Sequence, residues 1–151
     1  MKNLQHFARD QNGSRQIQII FENGTPEKQG KIFDALKPML IDLITHPFGN
    51  FVVQKFLEFG QNSQREVIFN TIKGNIKMLS IDPFGCRVIQ RCVECFVKDD
   101  GKIQVILNSL QNDLRQLITH RNANHVLQKI FTSVNSKMLD AMYKVVTDNA
   151  P

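Results

Sequence analysis

The sequence has no uninterrupted apolar run of about 18 residues, the length a membrane-spanning helix requires. Its opening residues, MKNLQHFARD, lack the apolar core of a secretion signal. These absences set the expectation of a soluble, intracellular protein, placed in the cytoplasm. Cysteine is scarce: of Cys86, Cys92 and Cys95 the last two form a C-x-x-C, but no second pair and no nearby histidine completes a tetrahedral zinc site. They read as core or surface thiols in a reducing compartment. A glycine-rich phosphate loop and a cluster of metal ligands are also missing, so no cofactor, metal or small-molecule substrate is expected. Sustained period-two alternation, the mark of half-buried strands, is absent as well.

What the sequence does have is a repeat. DQNGSRQIQ from Asp10, HPFGNFVVQ from His46, DPFGCRVIQ from Asp82 and HRNANHVLQ from His120 align on one another. Gln18 to Gln54 and Gln54 to Gln90 are each 36 residues apart, and Gln90 to Gln128 is 38. A 151-residue chain could hold one compact domain or about four repeat units, and a fixed period of this size decides for stacked repeats. Its 42% hydrophobic content is that of a folded chain. Three apolar columns accompany the glutamine: Phe7, Leu43, Leu79 and Leu117; Ile17, Val53, Ile89 and Leu127; Phe21, Leu57, Val93 and Phe131. The last two columns are four residues apart in each unit, so they share one helical face, which is expected to be buried. Between the motifs, Ile68, Ile72 and Ile76 recur every four residues, and Ile103, Ile106, Leu110, Leu114 and Leu117 alternate threes and fours, which predicts further helices. Pro26 behind Thr25 predicts a helix start. Lys98-Asp99-Asp100-Gly101 predicts a loop that takes up the extra residues before the fourth unit. The triplets Asn12-Gly13-Ser14 and Asn23-Gly24-Thr25 read as turn chemistry rather than as glycosylation acceptors. An all-α solenoid follows, in which each unit buries its apolar face only against its neighbours.

A core has no use for one amide kept in phase four times, because burying it without partners costs about 1 to 3 kcal/mol. Gln18, Gln54, Gln90 and Gln128 therefore mark the face where function is expected. Each motif reads as a turn (Asn12-Gly13, Phe48-Gly49, Phe84-Gly85, Asn122-Ala123) followed by a helix whose early residues are Ser14, Asn50, Cys86 and Asn124. These lie one turn before the glutamine on the same face, and the polar members of that column favour a wet groove. Beside them come Arg15, Phe51, Arg87 and His125, planar groups able to stack on a nucleobase. Each residue also has a plainer role open to it. The glutamines could link or cap repeats, Arg15 and Arg87 could be solvated charges, Phe51 could be core, and His125 could pack on the next repeat; it is their shared register that favours binding. The net charge of +5 agrees with a polyanionic partner without singling one out. His46 and His120 alternate with Asp10 and Asp82 just before the turn. They fall in successive repeats, and no serine or cysteine nucleophile recurs beside them, so a structural role at the helix start and no enzymatic activity are expected.

The stretches GNFVVQKFLEFG, FGCRVIQRCVE and NHVLQKI, with DQNGSRQIQ at the start, closely resemble the first four repeats of a Pumilio (PUF) RNA-binding domain, a family in which each helical repeat reads one base. The resemblance implies a right-handed α-solenoid of about four three-helix repeats, curved, with single-stranded RNA on its concave face. It makes residues 1–151 a partial Pumilio homology domain with recognition segments 10–22, 46–58, 82–94 and 120–132, and makes 136–148 the first helix of an incomplete fifth repeat. The repeats that read the family's 5' UGU element then fall outside this sequence. Ser14, Gln18, Asn50, Gln54, Cys86, Gln90, Asn124 and Gln128 would meet base edges, and Arg15, Phe51, Arg87 and His125 would stack. In the family an Asn with a Gln reads uracil and a Ser or Cys with a Gln reads adenine, with the RNA antiparallel to the repeats; the preferred sequence here would be 5'-U-A-U-A-3'. Two carboxamides suit the acceptor-donor-acceptor edge of uracil, and a small partner leaves room for a purine. The implied role is control of messenger RNA through 3' untranslated regions, by translational repression and decay, with repressor or deadenylase proteins on the convex face. The competing reading is an armadillo- or HEAT-like scaffold that holds an extended peptide.

Overall fold

The computed structural model describes residues 2–148. Among the described residues every regular element is helical, and the helices come in triplets of short, recognition and long. The first triplet is α1 (Lys2–Phe7), α2 (Gln11–Glu22) and α3 (Pro26–Leu36), and the second is α4 (Leu40–Ile44), α5 (Gly49–Phe59) and α6 (Asn62–Ile72). The third is α7 (Ile76–Ile81), α8 (Gly85–Phe96) and α9 (Asp100–Leu110), and the fourth α10 (Leu114–Ile118), α11 (Ala123–Ser133) and α12 (Ser136–Asp148). They form two compact units, residues 1–74 and 75–151, each holding two triplets.

Within each unit, consecutive recognition helices pack side by side, α2 on α5 and α8 on α11. In the first unit the fully buried Phe56 of α5 meets Phe21 of α2 at 4.8 Å and Phe33 of α3 at 5.2 Å, nearly edge-on in the second case. In the second unit Ile89 and Val93 of α8 and Leu127 and Ile130 of α11 are buried. The expected apolar face is therefore the core, with one departure: Phe131 is only half-buried, with its ring stacked on Tyr143 at 5.5 Å. In the remaining apolar column Leu43, Leu79 and Leu117 are buried and Phe7 is 49% exposed. Ion pairs join neighbouring recognition helices at their rims, Lys55 to Glu22 at 3.3 Å and Lys129 to Glu94 at 2.6 Å. Being half-exposed, each contributes at most about 1 kcal/mol.

Capping sets the boundaries. Thr25 accepts from the Lys28 amide with Pro26 in the first helical position, the predicted start of α3. The expected loop at Lys98–Gly101 is shorter than the sequence suggested: Asp99 accepts from the Lys102 amide, so Asp100 and Gly101 already belong to α9. The Ile68–Ile76 periodicity likewise runs across a break between α6 and α7. A contact not legible in the sequence closes two recognition helices at their C-terminal ends. Gln29 of α3 donates to the Phe21 carbonyl at 2.9 Å, and Arg65, its counterpart in α6, donates to the Leu57 and Glu58 carbonyls at 2.8 and 3.0 Å.

Candidate nucleic-acid interface

The turns placed at Asn12-Gly13, Phe48-Gly49 and Phe84-Gly85 are one step off. Asn12 and Gly13 lie inside α2, while Gly49 and Gly85 are the first residues of α5 and α8. No glycine among the described residues has positive φ, so the turn chemistry expected there is not the reason for them. Close approach is: a Cβ on Gly13 would sit 2.5 Å from the Phe7 carbonyl oxygen, and one on Gly85 2.6 Å from that of Leu79. The short helix thus presses its last turn directly onto the recognition helix.

An acceptor just upstream caps each of these helices. Asp10 Oδ2 takes the Gly13 amide at 2.8 Å. His46 Nδ1 takes the amides of Phe48 and Gly49, both at 3.1 Å. Asp82 Oδ2 takes those of Phe84 and Gly85 at 2.9 and 2.7 Å, and His120 Nδ1 those of Asn122 and Ala123 at 3.1 and 3.2 Å. The alternating His/Asp column is therefore structural, with an imidazole nitrogen doing the work of a carboxylate oxygen. Burial, and then the charge of Arg9, lower the His46 pKa from its ordinary value, which keeps Nδ1 free to accept.

Four residues after each cap sits the shorter of the predicted base-edge residues, and here the wet-groove expectation needs correction. Ser14, Asn50 and Cys86 are buried at 2%, 0% and 4% exposure, and Asn124 is half-buried. Each donates to a carbonyl at the start of its own helix: Ser14 to Gln11 at 3.1 Å, Asn50 to His46 at 2.8 Å and to Pro47 at 3.1 Å, Cys86 to Pro83 at 3.3 Å, and Asn124 to His120 at 2.6 Å. Side chains this short cannot leave the first turn once bonded to it, so they form a floor rather than a rim. Burial pushes the Cys86 thiol up, partly opposed by the Arg87 guanidinium.

The rim is built one turn on. Gln18, Gln54 and Gln90 are half-exposed and Gln128 is exposed. Gln54 Nε2 donates to Asn50 Oδ1 at 3.0 Å, joining floor and rim in the second repeat. The four residues expected to stack, Arg15, Phe51, Arg87 and His125, are all exposed, and the Arg87 guanidinium lies 5.8 Å from the Phe84 ring. In the first unit these groups converge on a cleft of about 330 Å³. Ser14, Arg15 and Gln18 of α2 line one side and Phe51 of α5 the other, with Gln11, Pro47 and Phe48 completing the wall. Gln11 and Pro47 carry no sequence signal beyond sharing one column of the repeat, and Phe48 reads in the sequence only as part of a turn. A floor that varies in size, an amide edge above it and two stacking groups around it make a slot for a flat heterocycle with a hydrogen-bonding edge.

Comparison with known proteins identifies the repeat. The Pumilio-family RNA binding repeat matches residues 3–37, 40–73, 75–107 and 114–147, each match taking one short, one recognition and one long helix, so that α12 falls in the fourth. Pumilio homolog 12 of Arabidopsis thaliana is 33% identical over 129 residues, covering 83% of this chain and 22% of that protein. Pumilio homolog 1 of Xenopus laevis is 39% identical over 62 residues, covering 41% of this chain and 5% of the relative. A solved structure of the Puf3 RNA binding domain, bound to a Cox17 RNA 3' UTR recognition sequence, superposes with a TM-score of 0.90 at 32% identity over 97% of this chain and 42% of that one. The chain thus spans less than half of each of these relatives. Family repeats tile it almost end to end: the chain belongs to the Pumilio family of RNA-binding repeat proteins.

Proposed function

We propose that this chain binds single-stranded RNA sequence-selectively, one base per repeat, with a preference for 5'-U-A-U-A-3' read from the fourth repeat to the first. The observation that carries the reading is the cleft of the first unit, where floor, amide and two stacking side chains meet in one place. In each repeat the rim glutamine meets the base edge and the floor residue sets how deep and how polar the slot is. Ser14 and Cys86 leave space for adenine; Asn50 and Asn124 fill that space and supply a second carboxamide for uracil, Asn50 by exchanging its 3.0 Å bond with Gln54 for the base edge. Arg15, Phe51, Arg87 and His125 stack, and Lys and Arg side chains along the strand supply a salt-dependent attraction. The proposed setting is the cytoplasm, on 3' untranslated regions of messenger RNA, where repressor or deadenylase proteins held elsewhere on the molecule silence or shorten the message. The chain supplies recognition rather than catalysis.

Cys86→Asn tests the reading, since it gives the third repeat the floor of the second. Titration with short RNAs that differ only at the nucleotide opposite that repeat should show its preference move from adenine toward uracil by roughly 1 to 3 kcal/mol. An unchanged preference in a folded variant would reject base readout and favour a groove that holds an extended peptide.

A further inference from the structure

We infer that His46 and His120 are positioning residues for base readout in the second and fourth repeats, a role beyond the edge and stacking residues and one that rests on the RNA-reading function proposed above. Two independent features of the molecule meet here. In the sequence, the two repeats with an Asn floor have a His cap (His46 with Asn50, His120 with Asn124), and the two with a small floor have an Asp cap (Asp10 with Ser14, Asp82 with Cys86). In the structure, the two kinds of floor are tied differently. Asn50 and Asn124 donate to the main-chain carbonyl of the capping histidine itself, at 2.8 and 2.6 Å. Ser14 and Cys86 donate to the carbonyls of Gln11 and Pro83, one residue after their capping aspartates, a bond that Asn50 makes too, to Pro47 at 3.1 Å, in addition to the one to its cap.

The result is a relay in the second repeat. The His46 ring holds the first amides of α5, its carbonyl holds the Asn50 amide, and Asn50 Oδ1 holds Gln54 Nε2 at 3.0 Å. The links are directional bonds, Asn50 being tied to the Pro47 carbonyl as well at 3.1 Å, so the position of the histidine bears on where the rim amide is aimed. If the ring acceptor is lost, two amides are freed at the start of the helix, the His46 carbonyl keeps only its bonds from the Asn50 main-chain and side-chain amides to place it, and the aim of Asn50 and of Gln54 above it loosens. The fourth repeat has the same first two links, with Gln128 exposed above them.

The test compares His46→Phe, which keeps a planar ring but removes the acceptor, with His46→Asp, which restores the acceptor that Asp82 uses. Both are made in the full 151-residue protein and titrated with 5'-U-A-U-A-3' and the four RNAs carrying one substitution each. His46→Phe should cut discrimination at the third nucleotide, opposite the second repeat, by about five-fold or more, and leave the other three positions within about two-fold of the parent; His46→Asp should restore most of the loss. Discrimination that survives His46→Phe at the third nucleotide, or that falls equally at all four, overturns the inference alone. A parent protein with no base preference anywhere overturns the RNA-reading proposal and this inference with it. His120→Phe, read at the first nucleotide, is a second copy of the experiment and decides the matter if His46→Phe does not fold.

Discussion

Phe51→Ala separates stacking from edge recognition. Phe51 is 40% exposed and forms the wall of the 330 Å³ cleft opposite Ser14, Arg15 and Gln18. Truncation removes one aromatic face from one slot, so affinity for a matched RNA should fall by about 1 to 3 kcal/mol, the amount carried by stacking one base on an aromatic ring. Because every base has a π face, the loss should be the same whether the nucleotide in that slot is adenine or uracil, and the preference set by Ser14 and Gln18 should persist. The fold should tolerate the change better than the loss of a core ring. A fully buried Phe such as Phe56 costs about 3 to 5 kcal/mol on truncation to Ala, and the exposed share of Phe51 reduces that cost. Fluorescence anisotropy with end-labelled RNAs, at a temperature where circular dichroism shows the variant folded, measures both affinity and preference. Phe51→Tyr, which keeps the ring, should bind like the parent. Loss below about two-fold, or loss that depends on the base, would refute stacking by Phe51.

Gly85→Ala would place a methyl 2.6 Å from the Leu79 carbonyl oxygen and 3.2 Å from Asp82 Cβ, forcing the short helix away from the recognition helix; chemical denaturation should show a loss of about 1 to 3 kcal/mol, and a change inside experimental error would show that the contact gives way freely. His46 makes the stability of the first unit depend on pH. Its folded pKa is lowered by burial and by Arg9, so its contribution is complete above the unfolded value of about 6.5 and is lost as pH falls through the folded value. Melting temperatures below pH 6.5 should therefore fall more steeply for the parent than for His46→Asp, and parallel curves would exclude His46 as the cause.

How much of this molecule can be read in its sequence depends on which physical constraint each residue answers. Ile17, Val53, Ile89 and Leu127 answer to burial alone, and a hydrophobic column at a fixed period is enough to place them in the core. Gln18, Gln54, Gln90 and Gln128 stand out because an amide repeated in phase has no place in a core, and they do reach the rim. Ser14, Asn50, Cys86 and Asn124 were identified by register, but their burial was not, because a periodic pattern cannot tell a side chain that points outward from one bonded back to the helix start. The glycines were misread for a related reason. A glycine in sequence is equally consistent with a turn and with a close approach, and only the position of the Phe7 and Leu79 carbonyls decides between them. Gln29 and Arg65 carried no signal at all, since the corresponding residues of the second unit, Ile103 and Leu139, are buried and apolar. On the proposed reading, selectivity has two layers: an amide rim that repeats, and a floor whose size varies from Ser to Asn and whose aim the cap below it sets. Exchanging only the floor, as in Cys86→Asn, leaves Asp82 as the cap, so the cap position is where an incomplete exchange of base preference would originate. Adding Asp82→His to that variant should then complete the exchange, and a double variant no more selective for uracil than Cys86→Asn would show that floor and cap act independently.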